Sequence, residues 1–365
     1  MRLVTYTFRG TMRLGALVGD AEVVDLNRAC ALHRAERGKR RARALADFLV
    51  PTDMLAFLQA GDPAPDAARA ALAHVREHLR TRRDAATASG LLLRTDEPGF
   101  RLEAPVPRPG KVLAVGVNYK DHAEEAKIPL PERPIIFAKV SSCVIGTGAP
   151  INRPRVSTKL DFEGELCVVI GKHARHVAAA DADGCVAGYM IGNDVSVRDW
   201  QFHSPTWIMG KSFDTRGPTG PWLVTRDEVP DPASLRLKTW VNGVLKQDAS
   251  TGAMIFGVGI LIEYVSQAFT LEPGDVIFTG TPAGRGVRGA RASGSRRATL
   301  CGWRPRGSAC SRITSWTSCD GYAAVRNGVP RRGPIVATSL GVGSQSGAIA
   351  SPCTSPGGER HQRHP

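Results

Sequence analysis

The chain has 365 residues, 42% of them hydrophobic and 22% charged, with a formal net charge of +14 at pH 7. That length can bury a full core and more than one domain, and no apolar run is long enough to span a membrane. The excess charge would point to nucleic acid if it lay across the fold, but residues 285–365 hold thirteen arginines against Asp320 and Glu359, a balance of +11 that leaves +3 for residues 1–284.

The start, Met1-Arg-Leu-Val-Thr-Tyr-Thr-Phe-Arg-Gly, lacks the apolar stretch of a signal peptide. A cytoplasmic protein with eight reduced cysteines is therefore expected. Leu3-Val-Thr-Tyr-Thr-Phe and the apolar alternation over 14–26 suggest a hairpin turning at Gly19-Asp20. Helical patterns follow over 34–49, 54–60 and 67–83, so 1–104 reads as a small N-terminal α+β region. Pro105-Val-Pro-Arg-Pro-Gly is an extended linker. A larger β-rich region follows, with turn signals at Asn242-Gly243 and Pro273-Gly274-Asp275; the whole domain is placed at 105–284.

Within that domain, Val112-Leu-Ala-Val-Gly-Val-Asn-Tyr-Lys-Asp-His-Ala-Glu-Glu reads as a strand ending near Asn118 and a short helix after it. His122 and Glu125 are three apart and share one helix face. A carboxylate beside an imidazole fixes its tautomer and raises its basicity, as a general base requires; an ordinary surface pair has the same spacing. Next comes Asp161-Phe-Glu-Gly-Glu-Leu-Cys-Val-Val-Ile-Gly, whose apolar, β-branched half is a strand. Residues two apart on a strand face the same way, so Glu163 and Glu165 project side by side. Tyr189-Met-Ile-Gly-Asn-Asp is a second strand ending on Asp194. If the two strands are neighbours, three carboxylates converge. Such a cluster repels itself unless a cation sits in it, and all-oxygen ligation suits Mg²⁺, with Mn²⁺ or Ca²⁺ as alternatives. The plain alternative for Glu-x-Glu is a solvated strand face. Lys211, in Met209-Gly-Lys-Ser-Phe-Asp-Thr, has small and apolar neighbours, where an amine suits an anion or a developing enolate.

Other motifs fail on context. His74-Val-Arg-Glu77-His78 matches the inverted zinc-protease pattern, but it lies on an Ala/Arg-rich helix with no third ligand indicated. Gly284-Arg-Gly286-Val-Arg-Gly289 follows a strand, but no helix comes after it to offer its N-terminus to a pyrophosphate. The basic run 37–43 reads as a solvated helix face, and His173 and His176 as a surface loop.

An ordered series of blocks carries a family resemblance: Val115-Gly-Val-Asn-Tyr-Lys-Asp-His, Pro134-Ile-Ile-Phe-Ala-Lys139, Asp161-Phe-Glu-Gly-Glu-Leu, Gly192-Asn-Asp-Val-Ser-Val-Arg-Asp-Trp-Gln201, Gly210-Lys-Ser-Phe-Asp-Thr, Gly220-Pro-Trp and Thr279-Gly-Thr-Pro-Ala-Gly284. Together they resemble the fumarylacetoacetate hydrolase family, closest to bacterial members acting on small 2-oxo acids and dioates. The resemblance implies an α+β fold with a mixed β-roll catalytic domain, and commonly a homodimer. It assigns Glu163, Glu165 and Asp194 to a metal, usually Mg²⁺, and His122 and Glu125 to water activation. It places Lys211 near the metal and Arg198 and Gln201 in the pocket, with Thr281 on substrate and Lys139 as a structural or substrate-orienting cation. The implied reaction is metal-dependent hydrolysis of a C–C bond in a small 1,3-dicarbonyl or 2-oxo acid, such as an acylpyruvate, through a stabilised enolate. Isomerisation, decarboxylation or hydration of an unsaturated oxo-dioate in aromatic catabolism shares that enolate. No nucleic acid or membrane partner is implied.

After Gly284 the pattern of the family stops. The text becomes rich in Arg, Gly, Ser, Pro and Cys without any lysine and without a sustained period. Residues 285–365 are therefore expected to be a disordered basic tail or coding sequence read in a shifted frame. Missing strands would leave exposed sheet edges and a weakly active or inactive chain. Translating the coding DNA in its other two frames beyond codon 284 should recover a strand-rich continuation; if neither frame does, the frameshift reading is wrong.

Overall fold

The computed structural model describes residues 1–284 in full, together with the backbone of 298–301, 312–319 and 322–326. The N-terminal residues form β1 (Arg2–Phe8), β2 (Thr11–Val18), β3 (Glu22–Asp25), α1 (Leu26–Glu36), α2 (Ala42–Leu49), α3 (Met54–Gln59), α4 (Pro63–His78), α5 (Arg83–Ala88), β4 (Leu92–Arg94) and β5 (Phe100–Leu102). Then come β6 (Val112–Gly116), α6 (Lys120–Ala126), β7 (Ile135–Lys139), β8 (Val144–Ile145), β9 (Ile151–Asn152), β10 (Leu160–Asp161), β11 (Gly164–Ile170), β12 (Val186–Asn193) and β13 (Ser196–Val197). Two one-turn helices, α7 (Arg198–Gln201) and α8 (Ile208–Lys211), lead to β14 (Gly217–Thr225) and the hairpin β15 (Arg236–Val241) and β16 (Val244–Ser250). The rest is α9 (Val258–Ala268), β17 (Val276–Phe278), β18 (Ala298–Cys301), β19 (Arg312–Cys319) and β20 (Tyr322–Arg326).

The expected N-terminal hairpin is a three-stranded meander. Arg9 and Gly10 both have positive φ, 49° and 82°, the geometry of a tight hairpin turn, so a first reversal precedes the one at Gly19-Asp20. The helix expected over 34–49 is two helices. Asp25 starts α1 early by accepting the backbone N–H of Arg28, and left-handed Gly38 (φ 69°) and Arg41 (φ 57°) turn the chain before α2. Pro63 likewise opens α4 ahead of the expected start.

A mixed sheet runs in the order β4-β3-β2-β1-β14-β12-β11-β17-β6-β7. Pairs along this order are antiparallel except β17 with β6, which are parallel; off it, β5 pairs antiparallel with β1 and β8 parallel with β14. The N-terminal strands continue this sheet through β1 and β14, with Leu3 opposite Leu223. All seven residues of β11 are buried, as a strand covered on both faces must be. One face, through Cys167, Val169 and Phe278, joins the core of the N-terminal helices around Met54, Phe57 and Leu72. The other, through Val168, Ile170 and Ile277, packs against Leu261, Ile262 and Val265 of α9.

A second sheet runs β16-β15-β18-β19-β20-β9. Part of the tail expected to lack regular structure thus pairs as strands: β18 lies antiparallel to β15, with Leu300 opposite Thr239. The local reason is β-branched and aromatic content, as in Ile313-Thr-Ser-Trp-Thr. The supposed frame change at Arg285, the Gly-x-Gly motif past Gly284 and the rest of 285–365 lie outside the described residues. Among the described residues no helix is long and apolar enough to cross a membrane, and Cys30, Cys143, Cys167 and Cys185 are free thiols.

Strand ends meet where the resemblance places chemistry. Gly164 and Glu165 at the start of β11 pair with Asn193 and Gly192 at the end of β12, while β6 and β17 end beside them. Asn118, fully buried, fastens this end. Its Nδ2 donates to Thr279 O at 2.7 Å and Phe256 O at 3.0 Å, and its Oδ1 accepts Phe256 N–H at 2.8 Å. Asn118→Leu leaves these backbone groups buried and unpaired, which should cost about 2–4 kcal/mol. A lower urea midpoint at unchanged slope is the expected reading.

Candidate metal centre

Glu163 precedes β11, Glu165 lies within it, and Asp194 follows β12. Asp194 N–H donates to Glu163 O at 2.9 Å, and Glu163 N–H donates to Asn193 Oδ1 at 2.9 Å. These bonds bring the three carboxylates together, each with an oxygen within 4.8 Å of the others and all buried. The strand-parity argument is borne out in geometry: the cluster faces inward instead of forming a solvated face.

Three cations reach the cluster. Lys211 Nζ bridges Glu163 Oε2 at 2.5 Å and Asp194 Oδ2 at 2.6 Å. Lys139 Nζ donates to Asp194 Oδ1 at 2.7 Å and also to the backbone oxygen of Lys211. Arg198 Nη2 meets Glu163 Oε1 at 2.6 Å and Asp161 Oδ2 at 2.7 Å, while its Nη1 donates to Gln201 Oε1 at 2.9 Å. Glu165 accepts Gly280 N–H at 2.7 Å; among the described residues it has no cationic partner within salt-bridge distance.

The electrostatics follow from this wiring. Burial alone would raise the Glu163 carboxyl, but Arg198 and Lys211 outweigh it and hold it below the ordinary carboxylate range. Glu165 is pushed well above that range, first by burial and then by Asp194 and Glu163. Burial would also lower Lys211, yet Asp194 and Glu163 raise it. The set is Asp161, Glu163, Glu165 and Asp194 against Lys139, Arg198 and Lys211, so one carboxylate lacks a counter-charge. A divalent cation fits that deficit and the all-oxygen donor set.

The other expected residues are placed as follows. His122 on α6 is buried and acts electrostatically on Glu163. Its Nδ1 lies 3.9 Å from Glu125 Oε2, too far for a hydrogen bond, and Glu125 accepts Gly284 N–H at 3.3 Å on each oxygen. Thr281 Oγ1 donates to Gly164 O at 2.9 Å, so its hydrogen is spent on the backbone between Glu163 and Glu165. Lys139 is likewise spent on Asp194 and Lys211. Asp161 has a role that spacing alone did not reveal: it orients Arg198. Its position two residues before Glu163, on the same strand parity, was the available signal.

His74 and His78 do not reproduce the protease pattern. His74 Nε2 meets Glu36 Oε2 on α1 at 2.8 Å, while Glu77 is exposed and pairs with Arg80. Among the described residues the three acids are the group gathered closely enough to hold a metal.

A buried acid cluster with cationic bridges thus sits where strands of a mixed sheet end. Residues 111–308 match the model described as the fumarylacetoacetate (FAA) hydrolase C-terminal domain, and the chain belongs to the fumarylacetoacetate hydrolase family. It is 44% identical over 240 residues, 65% of this chain and 71% of the other, to a Bos taurus protein named oxaloacetate tautomerase FAHD2B, mitochondrial. A Homo sapiens protein named oxaloacetate tautomerase FAHD2A, mitochondrial, is 43% identical over 243 residues, covering 66% of this chain and 72% of the other. Among solved structures, fumarylacetoacetate hydrolase from Exiguobacterium antarcticum superposes with a TM-score of 0.64 at 28% identity, covering 86% of this chain and 98% of that one. Maleylpyruvate hydrolase from Sphingobium superposes at 0.59 with 30% identity, again covering 86% and 98%.

Because the proton on Glu165 and a metal compete for one site, cation affinity should rise with pH. The sign is set by the raised carboxyl: its protonated form is favoured in the folded protein, and that contribution fades as pH climbs above the unfolded value. Mg²⁺ added to EDTA-treated protein should raise the melting temperature more at pH 8 than at pH 6. A hundredfold excess over Kd corresponds to about 2.7 kcal/mol. Glu163→Ala and Asp194→Ala should remove the response; an equal rise in either variant would displace the centre from these residues.

Proposed function

We propose that the protein catalyses divalent-cation-dependent proton transfer beside the carbonyl of a small 2-oxo acid, interconverting keto and enol forms of an oxaloacetate-like dicarboxylate. The observation that carries this reading is the burial of His122 beside the acid cluster, where it acts on Glu163. Its Nδ1 lies 3.9 Å from Glu125 Oε2, within ion-pair distance, and Glu125 also accepts the Gly284 N–H. A single base moves a proton from carbon to oxygen with no water to activate. The tautomerase names of the relatives support the same choice.

A divalent cation held by Glu163, Glu165 and Asp194 would supply Lewis acidity to the carbonyl and carboxylate oxygens of the substrate. His122 takes the proton from the carbon next to the carbonyl and returns it to oxygen, or runs the reverse. Lys211 holds Glu163 and Asp194 in place and offsets negative charge developing on that oxygen. Arg198, anchored by Asp161, keeps Gln201 and Glu163 oriented at the pocket wall. With a dication the seven ionised groups would sum to +1, so the site favours an anionic substrate.

C–C hydrolysis of an acylpyruvate is the second reading, favoured by the His122–Glu125 ion pair and by structural neighbours named hydrolases. Isomerisation of an unsaturated oxo-dioate would use the same proton transfer. Oxaloacetate, acylpyruvates and unsaturated oxo-dioates should be incubated with micromolar protein, with Mg²⁺ or EDTA, while enol absorbance is followed. Faster keto–enol relaxation of oxaloacetate that EDTA and Glu163→Ala abolish is the expected result. His122→Ala should slow it by about 10²–10⁴-fold. Cleavage products from acylpyruvate without faster relaxation would transfer the assignment to hydrolysis.

A further inference from the structure

Strand β16 is exposed along most of its length: Val244, Leu245, Lys246, Asp248 and Ser250 face solvent. Its one buried residue is polar, Gln247, at 1% exposure. Burying a carboxamide is costly unless its donors and acceptor find partners, and Gln247 finds three. Its Oε1 accepts Gly164 N–H at 3.1 Å, and its Nε2 donates to Thr281 Oγ1 at 2.7 Å and to Pro282 O at 2.9 Å. The orientation of the amide follows from its neighbours, since a backbone N–H faces the oxygen and a carbonyl faces the nitrogen.

Gly164 is the residue between Glu163 and Glu165. Gln247 takes its N–H, and Thr281, itself held by Gln247, donates to its C=O. The loop 280–284 is thereby fastened at several points. Gly280 N–H binds Glu165, Gln247 holds Thr281 and Pro282, and Gly284 N–H reaches Glu125. Gly284 has a φ of 96° and passes so close to Lys246 O that a Cβ would collide with it, so the hairpin also backs the end of the loop.

We infer that Gln247 is a positioning residue for the metal centre: through Gly164 and Thr281 it sets the spacing of Glu163 and Glu165 and the seat of the 280–284 loop. This inference rests on the proposed reading of the centre. It gives the β15–β16 hairpin a task in binding the cation, whereas a merely structural glutamine would affect only stability.

Binding of Mn²⁺ to the full chain, read by electron paramagnetic resonance, separates these possibilities without requiring turnover. Partners behind metal ligands typically govern affinity by about 10–100-fold, so Gln247→Leu should weaken Mn²⁺ by that factor. Gln247→Glu keeps the acceptor for Gly164 but turns a carboxylate oxygen toward Pro282 O; it should weaken Mn²⁺ as well, and it serves if the leucine variant does not fold. Asp248→Ala is the control. It removes the hairpin's own ion pairs to Arg236 at 2.5 Å and Lys238 at 3.0 Å, so it should lower thermal stability and leave Mn²⁺ affinity unchanged. Wild-type affinity in both Gln247 variants overturns the inference, as does an equal loss in Asp248→Ala. A wild-type chain that binds Mn²⁺ but leaves oxaloacetate unchanged overturns the proposed reaction and not the role of Gln247. One that binds no Mn²⁺ overturns both.

Discussion

Mutual repulsion among buried carboxylates is the constraint on which this end of the fold depends. Asp161, Glu163, Glu165 and Asp194 are all at most 7% exposed, and leaving even one such charge uncompensated by removing its partner typically costs about 3–5 kcal/mol. Lys139, Lys211 and Arg198 answer three of the four. Each of these cations touches more than one group, so none is ordered for a single bond. The remaining deficit falls at Glu165, the carboxylate raised furthest by its surroundings. An unbalanced acid at the meeting point of strand ends is stored binding energy for a cation, which is why the same arrangement that strains the fold suits it for chemistry.

The sheet explains how so much charge can be held there. β11 and β12 are antiparallel and in register across Gly164–Asn193 and Glu165–Gly192, so acids nearly thirty positions apart arrive together without a long loop. β6 and β17 run parallel and finish at the same edge, delivering α6 and the 280–284 loop. Their flanking cores on both faces keep the strand ends from yielding. The N-terminal helices therefore stiffen the platform from below, although they contribute no group to the acid cluster.

Much of the centre was legible because it depends on local rules. Strand parity put Glu163 and Glu165 on one face, and the acid ending the second strand needed only that strand as a neighbour. Tertiary partners decided what was not legible. The i,i+3 spacing of His122 and Glu125 put them on one face of α6, where they lie 3.9 Å apart, but it gave no sign of the Gly284 N–H, 159 residues further on, that the carboxylate also accepts. Spacing likewise gave no sign that the Thr281 hydroxyl donates to Gly164 O and accepts from Gln247 Nε2. The broken helix at 34–49 turned on left-handed Gly38 and Arg41, and an arginine in that conformation leaves no sign in a helical pattern.

Gln247 is the extreme case of this difference. Nothing in Val244-Leu-Lys-Gln-Asp-Ala-Ser distinguishes it from a polar residue on an exposed strand, because alternation predicts only which face it takes and not what covers that face. What covers it is the backbone of a loop and of a strand start, groups every sequence possesses and no composition reveals. The acids of a metal centre can be read from their residue types. The hydrogen bonds that set their spacing run through peptide groups, and those become visible only once the chain is folded.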